Sequence, residues 1–283
     1  MVQFLPNHQF DNNYIKVKGS GNTHVSANGG ALLLENINEF EMPAEIDSIT
    51  GDFTNNSADF GGGAIYNATG NINSIDGNFA SNSTKGYGGA IANTNTYLGE
   101  DCKIHSPNPN SAVGSTIGII TGNFTNNSAM FPVSGDNTDF FYIYVPHVGS
   151  GGAIYNENSI IYSINGSFEN NSASRHGGAI ANMNTRFNED GTWSYYQNPD
   201  SDVVATIGSI KGDFTNNSAF YISSETEPYV EGKGGAIYNE GNIGSISGNF
   251  ISNTTGIDPS VQVMASLDTF TGGGAIFNTG TVD

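Results

Sequence analysis

Gly62 to Asn93 reads GGAIYNATGNINSIDGNFASNSTKGYGGAIAN, and the relation between its two ends decides the fold. The stretch opens on GGAI, passes through I-x-S-I-x-G-x-F-x-x-N and closes on GGAI again. Ile65 and Ile91 lie 26 residues apart, as do Ile154 and Ile180. A fixed step of this length marks stacked coils, because each coil can bury its apolar face only against its neighbours.

Outward from this stretch the same signals recur. F-x-x-N begins at Phe10, Phe53, Phe79, Phe124, Phe168, Phe214 and Phe250, and each is followed by a GGA, at Gly29, Gly62, Gly88, Gly151, Gly177, Gly234 and Gly273. Seven such pairs imply about seven coils. Between them runs I-x-x-I-x-G-x-F, starting at Ile46, Ile72, Ile117, Ile161, Ile207 and Ile243. Its last Ile, its Gly and its Phe are two apart, so a strand places them on one face, the inner one. The Gly is expected to leave room for the ring, and the three-residue step between the isoleucines calls for a bend or bulge.

In GGAIYN the Gly pair supplies corner conformations that side chains resist. Ile65, Ile91, Ile154, Ile180, Ile237 and Ile276 then read as an inward column, and Phe53, Phe79, Phe124, Phe168, Phe214 and Phe250 as another. The residue after each of these isoleucines runs Tyr, Ala, Tyr, Ala, Tyr, Phe, which suggests an outward position tolerant of size. Asn67, Asn93, Asn156, Asn182 and Asn239 are expected to stack as an amide ladder along the axis. All these repeated residues read as structural, so recognition belongs where the repeat is interrupted.

Interruptions fall at two points of the unit. The chain reads as a single domain over residues 1–283, with an N-terminal coil or cap over 1–28 and insertions at 94–116, 130–150, 183–206, 220–233 and 254–271. A coil allows this, since lengthening one turn leaves the strand pairing intact. A longer period is also present: Ile65 to Ile154, Ile91 to Ile180 and Phe79 to Phe168 are each 89 residues. The insertions obey it, with Glu100 and Asp101 falling 89 residues before Glu189 and Asp190.

Composition narrows the partners. Eight Lys and Arg against 27 Asp and Glu give a net charge of −19, which repels phosphate backbones and anionic bilayers, so nucleic acid is not an expected partner. The single Cys102 offers no internal disulfide. No apolar run reaches the length of a membrane-spanning helix, and no direct membrane insertion by this segment is expected. MVQFLPNHQF lacks the basic start and apolar core of a signal peptide, and GGGAIFNTGTVD stops where another strand is due. The natural chain is therefore expected to run on into further coils, or the end to be completed by a second copy in end-to-end self-association.

GGAI paired with F-x-x-N, many times over from Phe10 to Asn278, resembles the polymorphic outer-membrane protein repeats of chlamydial autotransporters. The resemblance implies an all-β chain folded as a right-handed parallel β-helix of about seven coils. It also implies a passenger that is extracellular or displayed on a bacterial cell surface and acts as an adhesin for a host-surface protein or glycan. The membrane barrel and the larger cysteine count of many relatives are absent from this stretch. A subunit of an extracellular filament, stacked end to end, is the alternative reading.

Parallel β-helices also house polysaccharide lyases and hydrolases, which need carboxylates clustered on adjacent coils. The column before the repeated Phe reads Asp52, Asn78, Asn123, Ser167, Asp213, Asn249. Its two acids stand four coils apart, roughly 19 Å at strand spacing, too far to cooperate. No catalytic residue is assigned, and no enzymatic activity is expected. No cofactor and no metal site is assigned either: the histidines are isolated, and the acidic pairs Glu100/Asp101 and Glu189/Asp190 read as solvated turns rather than calcium ligands. N-x-S/T triplets arise largely from the F-T-N-N-S motif itself. The insertions hold the more suggestive residues: Phe140, Phe141, Tyr142 and Tyr144 in one, and Trp193, Tyr195 and Tyr196 in another. Exposed aromatics are favoured in sites for protein or glycan, so these seven are the candidate partner-binding residues, the alternative being that the loops fold back and pack their rings on the coil flank.

Overall fold

In a computed structural model the chain winds into a parallel β-helix. The structure describes residues 2–3, 10–11, 14–15, 30–35, 45–68, 70–95, 97–98, 104–105, 114–130, 148–187, 193–194, 204–221, 232–257 and 272–283. No helix occurs among them. Each coil carries four short strands, and stacking the coils builds four sheets of eight, seven, seven and seven strands. Sheet I holds the I-x-x-I strands, such as Asn71–Asp76 and Ile160–Asn165. Sheet II holds the repeated Phe, as in Phe79–Ala80. Sheet III holds the pair that follows the Asn, as in Ser128–Ala129, and sheet IV the strand after GGA, as in Ile91–Thr94. The first coil is drawn from four short strands: Val2–Gln3, Phe10–Asp11, Tyr14–Ile15 and Leu32–Glu35 each pair in parallel with the next coil.

Register carries the repeat into space. Ile65 pairs with Ile91, Ile91 with Ile154, Ile154 with Ile180, Ile180 with Ile237 and Ile237 with Ile276, so the six form one row. The first five are fully buried, and Ile276 is partly exposed. The Phe row is also in register, with ring centroids 4.8 Å apart from Phe53 to Phe79 and planes within 2°. The stack continues through Phe124, Phe168, Phe214 and Phe250 at 4.7–4.8 Å with planes within 4°. Face-to-face rings are not the electrostatic optimum, but identical residues one strand spacing apart have no room to offset.

Two local features depart from the sequence reading, while the bend expected between the isoleucines of I-x-x-I is present. Both isoleucines of I-x-x-I are buried, so the step of three does not turn one of them outward. The bend lies at the residue after the first Ile, which the pairing skips: Ile117 pairs with Ile161 and Ile119 with Ser163, passing over Gly118 and Tyr162. The Gly before the Phe does not clear space for the ring. It turns the corner between sheets I and II at φ near +145° in Gly51, and a Cβ on Gly77 would lie 1.8 Å from the Gly51 carbonyl oxygen of the coil below. Close backbone approach selects glycine there.

The second correction concerns the residue after the inward Ile. Tyr66, Ala92, Tyr155, Ala181 and Tyr238 leave the central core but do not reach water; they form a second core with Phe60, Tyr87, Val148 and Met183. The residue before each GGA explains their alternation. Where the outer position is Ala92 or Ala181, that residue is Tyr87 or His176; where it is Tyr66, Tyr155, Tyr238 or Phe277, it is Gly61, Ser150, Lys233 or Gly272. Each coil thus supplies one ring, from one column or the other. Tyr87 stacks on Tyr155 at 4.5 Å, His176 on Tyr238 at 4.4 Å and Tyr238 on Phe277 at 5.3 Å. A Cβ on Gly61 would lie 3.0 Å from the rings of both Tyr66 and Tyr87. The two-coil period of the sequence is this exchange of ring and gap.

Candidate functional site

Buried polar groups must find partners or cost about 1–3 kcal/mol each, and here they find them on the next coil. In Asn67, Asn93, Asn156, Asn182, Asn239 and Asn278 each Nδ2 donates to the following Oδ1 at 2.7–2.9 Å. The ladder starts at Asn67, whose neighbour on the coil below is Leu34, and the Asn67 Oδ1 has no donor. A second buried ladder runs through the Asn of F-x-x-N. Asn127 Nδ2 and backbone N both donate to Asn171 Oδ1 at 3.0 Å, and its Nδ2 also reaches the Phe79 carbonyl at 2.9 Å. The preceding residue makes the turn in the left-handed region, with φ +56° at Asn55, Ser81, Asn126, Asn170 and Asn216. F-T-N-N-S therefore encodes two jobs: the first Asn tolerates αL and the second joins the ladder.

The exposed column of Asp52 and Asp213 is also structural. Asp52 Oδ1 accepts from the backbone N and Nδ2 of Asn78, at 2.8 and 3.0 Å, and Asp213 Oδ1 accepts from Asn249 at the same distances. Each carboxylate serves the coil above it. Among the described residues, no group of three or more His, Cys, Asp or Glu is placed to hold a metal ion.

Sheet IV is the strand between the two corners at which the chain makes its excursions. Residues leave it after Asn95 and after Thr185, and approach it through Val148, Lys233 and Gly272. On its outer face the tyrosine hydroxyls gather around a buried carboxylate. Glu157 is 2% exposed and accepts from Thr185 Oγ1 at 2.6 Å and Tyr155 OH at 3.3 Å. Tyr66 OH accepts from Thr94 Oγ1 at 3.3 Å and lies 3.4 Å from Tyr87 OH, and Tyr238 OH donates to Glu240 at 2.6 Å. Burial, then the neighbouring Tyr66 and Glu157, raises the Tyr87 phenol well above its ordinary value; burial, then Glu157, does the same for Tyr155. Because both folded values are raised, their contribution to stability is fully present below the unfolded value and is lost as pH rises through the folded ones. Urea unfolding is thus expected to keep its midpoint up to about pH 10 and to lose stability above it. The double substitution Tyr87→Phe/Tyr155→Phe should flatten that fall. An unchanged alkaline profile in the double variant would take these phenols out of the account.

Two of the excursions contain small antiparallel hairpins that the sequence reading did not foresee. Tyr97–Leu98 pairs with Ile104–His105, and Arg186–Phe187 with Trp193–Ser194. All four positions of the first map onto the second by the 89-residue step, which is the signal that could have found them. Trp193 therefore stands on a paired strand, opposite Phe187 in register. Phe140, Phe141, Tyr142, Tyr144, Tyr195 and Tyr196 lie outside the described residues, as do Glu100, Asp101, Glu189 and Asp190.

No curated protein and no solved structure gives a significant match to this chain. A family model does, at residues 51–68, 121–157, 165–183 and 212–240, described as the Chlamydia polymorphic membrane protein repeat. These are the coils that read N-N-S-A after the Phe dipeptide; the coils with Ser81 and Ser252 at the αL position fall outside the match. Over those four stretches, then, the chain is similar to the Chlamydia polymorphic membrane protein repeat.

Proposed function

We propose that this chain is part of a surface-displayed adhesin passenger, a stiff rod that carries recognition loops for a host protein or glycan at two of its corners. One observation carries the reading: the excursions leave the rungs intact. Across the excursion between Asn95 and Gly114, Ile91 still pairs with Ile154 and Ile75 with Ile120. Across the next, between Met130 and Val148, Thr84 still pairs with Ala129 and Ala129 with Ala173. A scaffold whose strands are indifferent to the length of its loops suits display. The repeat's kinship with membrane proteins of a bacterial surface agrees with it.

The hairpin that holds Trp193 is the place to test it. In a host-cell adhesion assay, Trp193→Ala and Tyr196→Ala are each expected to weaken binding by roughly thirtyfold, the scale of an aromatic hot spot. Urea midpoints should stay at the wild-type value. Adhesion that both variants keep would remove this insertion from the binding surface.

A further inference from the structure

Sheet I presents its outer face as a field of small and mostly polar residues, broken at two positions. The residue after each first Ile runs Asp47, Asn73, Gly118, Tyr162, Gly208, Gly244, and the next runs Ser48, Ser74, Ile119, Ser163, Ser209, Ser245. Tyr162 is 60% exposed and Ile119 48%, and Tyr162 is the one exposed aromatic among the residues whose side chains are described. The two departures from the polar pattern are neighbours, since Ile119 pairs with Ser163, the residue after Tyr162. Nothing in the fold requires either. At the Tyr162 position on the adjoining rungs a Cβ would come within 2.2 Å of a carbonyl oxygen at Gly118 and 2.4 Å at Gly208, so the bend favours glycine. The ring thus rises between two bare backbones.

We infer that this face is a glycan platform: a neutral oligosaccharide lies along the rod axis, with the carbon-hydrogen face of one sugar on the Tyr162 ring and Ile119. The size of the patch selects the occupant. A stable protein partner needs about 800 Å² per side, whereas one aromatic ring and one Ile offer on the order of 200 Å² of apolar surface. A sugar chain needs no more than one or two such stacking contacts and gains the rest from hydroxyls. Here Ser163, Ser209 and Ser245 follow one another on successive rungs beside the ring, at the ~4.8 Å strand spacing, a step close to one pyranose of an extended chain. Exposed Thr121 and Asn165 continue the polar field at the strand ends. The residues that flank Tyr162 on its own and the adjoining rungs, Gly118, Ile119, Ser163, Gly208 and Ser209, carry no charge. The nearest charges of this face, Asp76 and Lys211, are of opposite sign and lie at the strand ends beside Thr121 and Asn165, which favours a neutral ligand over an anionic one. This platform is made of strands, not of insertions, so it goes beyond the loop-borne adhesion proposed above.

Calorimetric titration of the full chain with cellohexaose, chitohexaose and maltohexaose tests it. Binding to at least one is expected, weakened at least about tenfold in Tyr162→Gly and measurably in Ile119→Ser, and kept within about twofold in Tyr162→Phe, which retains the ring. Both disruptive substitutions install residues that adjoining rungs already carry, so urea midpoints should hold. No heat with any of these sugars would overturn the inference, and so would sugar binding that Tyr162→Gly leaves intact. Sugar binding lost in Trp193→Ala but kept in Tyr162→Gly would place the glycan on the loops, sinking this inference while sparing the adhesin reading. Cell adhesion that needs Tyr162 without any sugar binding would assign the face to a protein and equally overturn it.

Discussion

Phe168→Ala is expected to destabilise the rod by about 3–5 kcal/mol, the cost of removing a fully buried ring and leaving its cavity. Phe168 sits at the middle of the stack, 4.7 Å from Phe124 and 4.8 Å from Phe214, and is completely buried. Two rung-to-rung contacts are lost together, and a solenoid is held by such nearest-neighbour terms. The substitution should therefore also loosen the coupling between the two halves, so that the single urea transition broadens or splits. Phe168→Leu, which keeps most of the volume, should cost about 1.5 kcal/mol or less and keep the transition sharp. A loss below about 1 kcal/mol in the alanine variant would mean that the stack is incidental to stability.

Asn171→Asp ranks beside it, for an electrostatic reason. Asn171 Oδ1 accepts twice from Asn127, and its Nδ2 donates to the Phe124 carbonyl at 2.9 Å and to Asn217 Oδ1 at 3.0 Å. A carboxylate keeps the acceptor half but sets an anionic oxygen against two acceptors in a buried site. The expected cost at neutral pH is about 3–5 kcal/mol, from broken hydrogen bonds and an unpaired buried charge. Protonation would restore a donor, so the introduced carboxyl has its folded pKa raised above the unfolded value of about 3.9. The sign follows: the lost stability is regained as pH falls through the raised folded pKa and is absent above it. Asn171→Ala removes both halves and should show no such recovery. Measuring urea stability of the two variants at about pH 4 and pH 7 separates them; parallel behaviour would contradict the ladder's role.

How much of this was legible depended on whether a residue repeats in type as well as in place. Ile65, Phe79 and Asn93 recur unchanged at one step, and in-register pairing leaves a repeated residue little choice but to stack on itself. The outer column was misread because its cover comes from elsewhere: Tyr87 and His176 sit five residues upstream of Ala92 and Ala181, differ in type, and alternate with Gly, Ser and Lys. Only the complementarity of the two columns reveals them. The second Asn ladder was hidden in F-x-x-N because the motif looks like a turn signal, and half of it is. For the candidate site, the hairpin positions were encoded by the 89-residue step, whereas the role of Trp193 depends on what it touches, which no spacing records. Tyr162 escaped notice because a lone Tyr in one strand is ordinary in sequence; only its exposure and its glycine neighbours set it apart.

The exchange of rings between the positions before GGA and after GGAI has a consequence for how such a rod can vary. Taken together the two columns hold one binary digit per rung: a ring upstream with Ala downstream, or a residue without a ring upstream with an aromatic downstream. Gly61 with Tyr66 is one setting and Tyr87 with Ala92 the other, and adjoining rungs can share a setting, as Tyr238 and Phe277 do. Flipping both members at once conserves the volume of the wall, while changing either alone overfills it or opens a hole. Drift along this flank should therefore proceed by paired substitutions, and shuffling whole coils between positions should be tolerated.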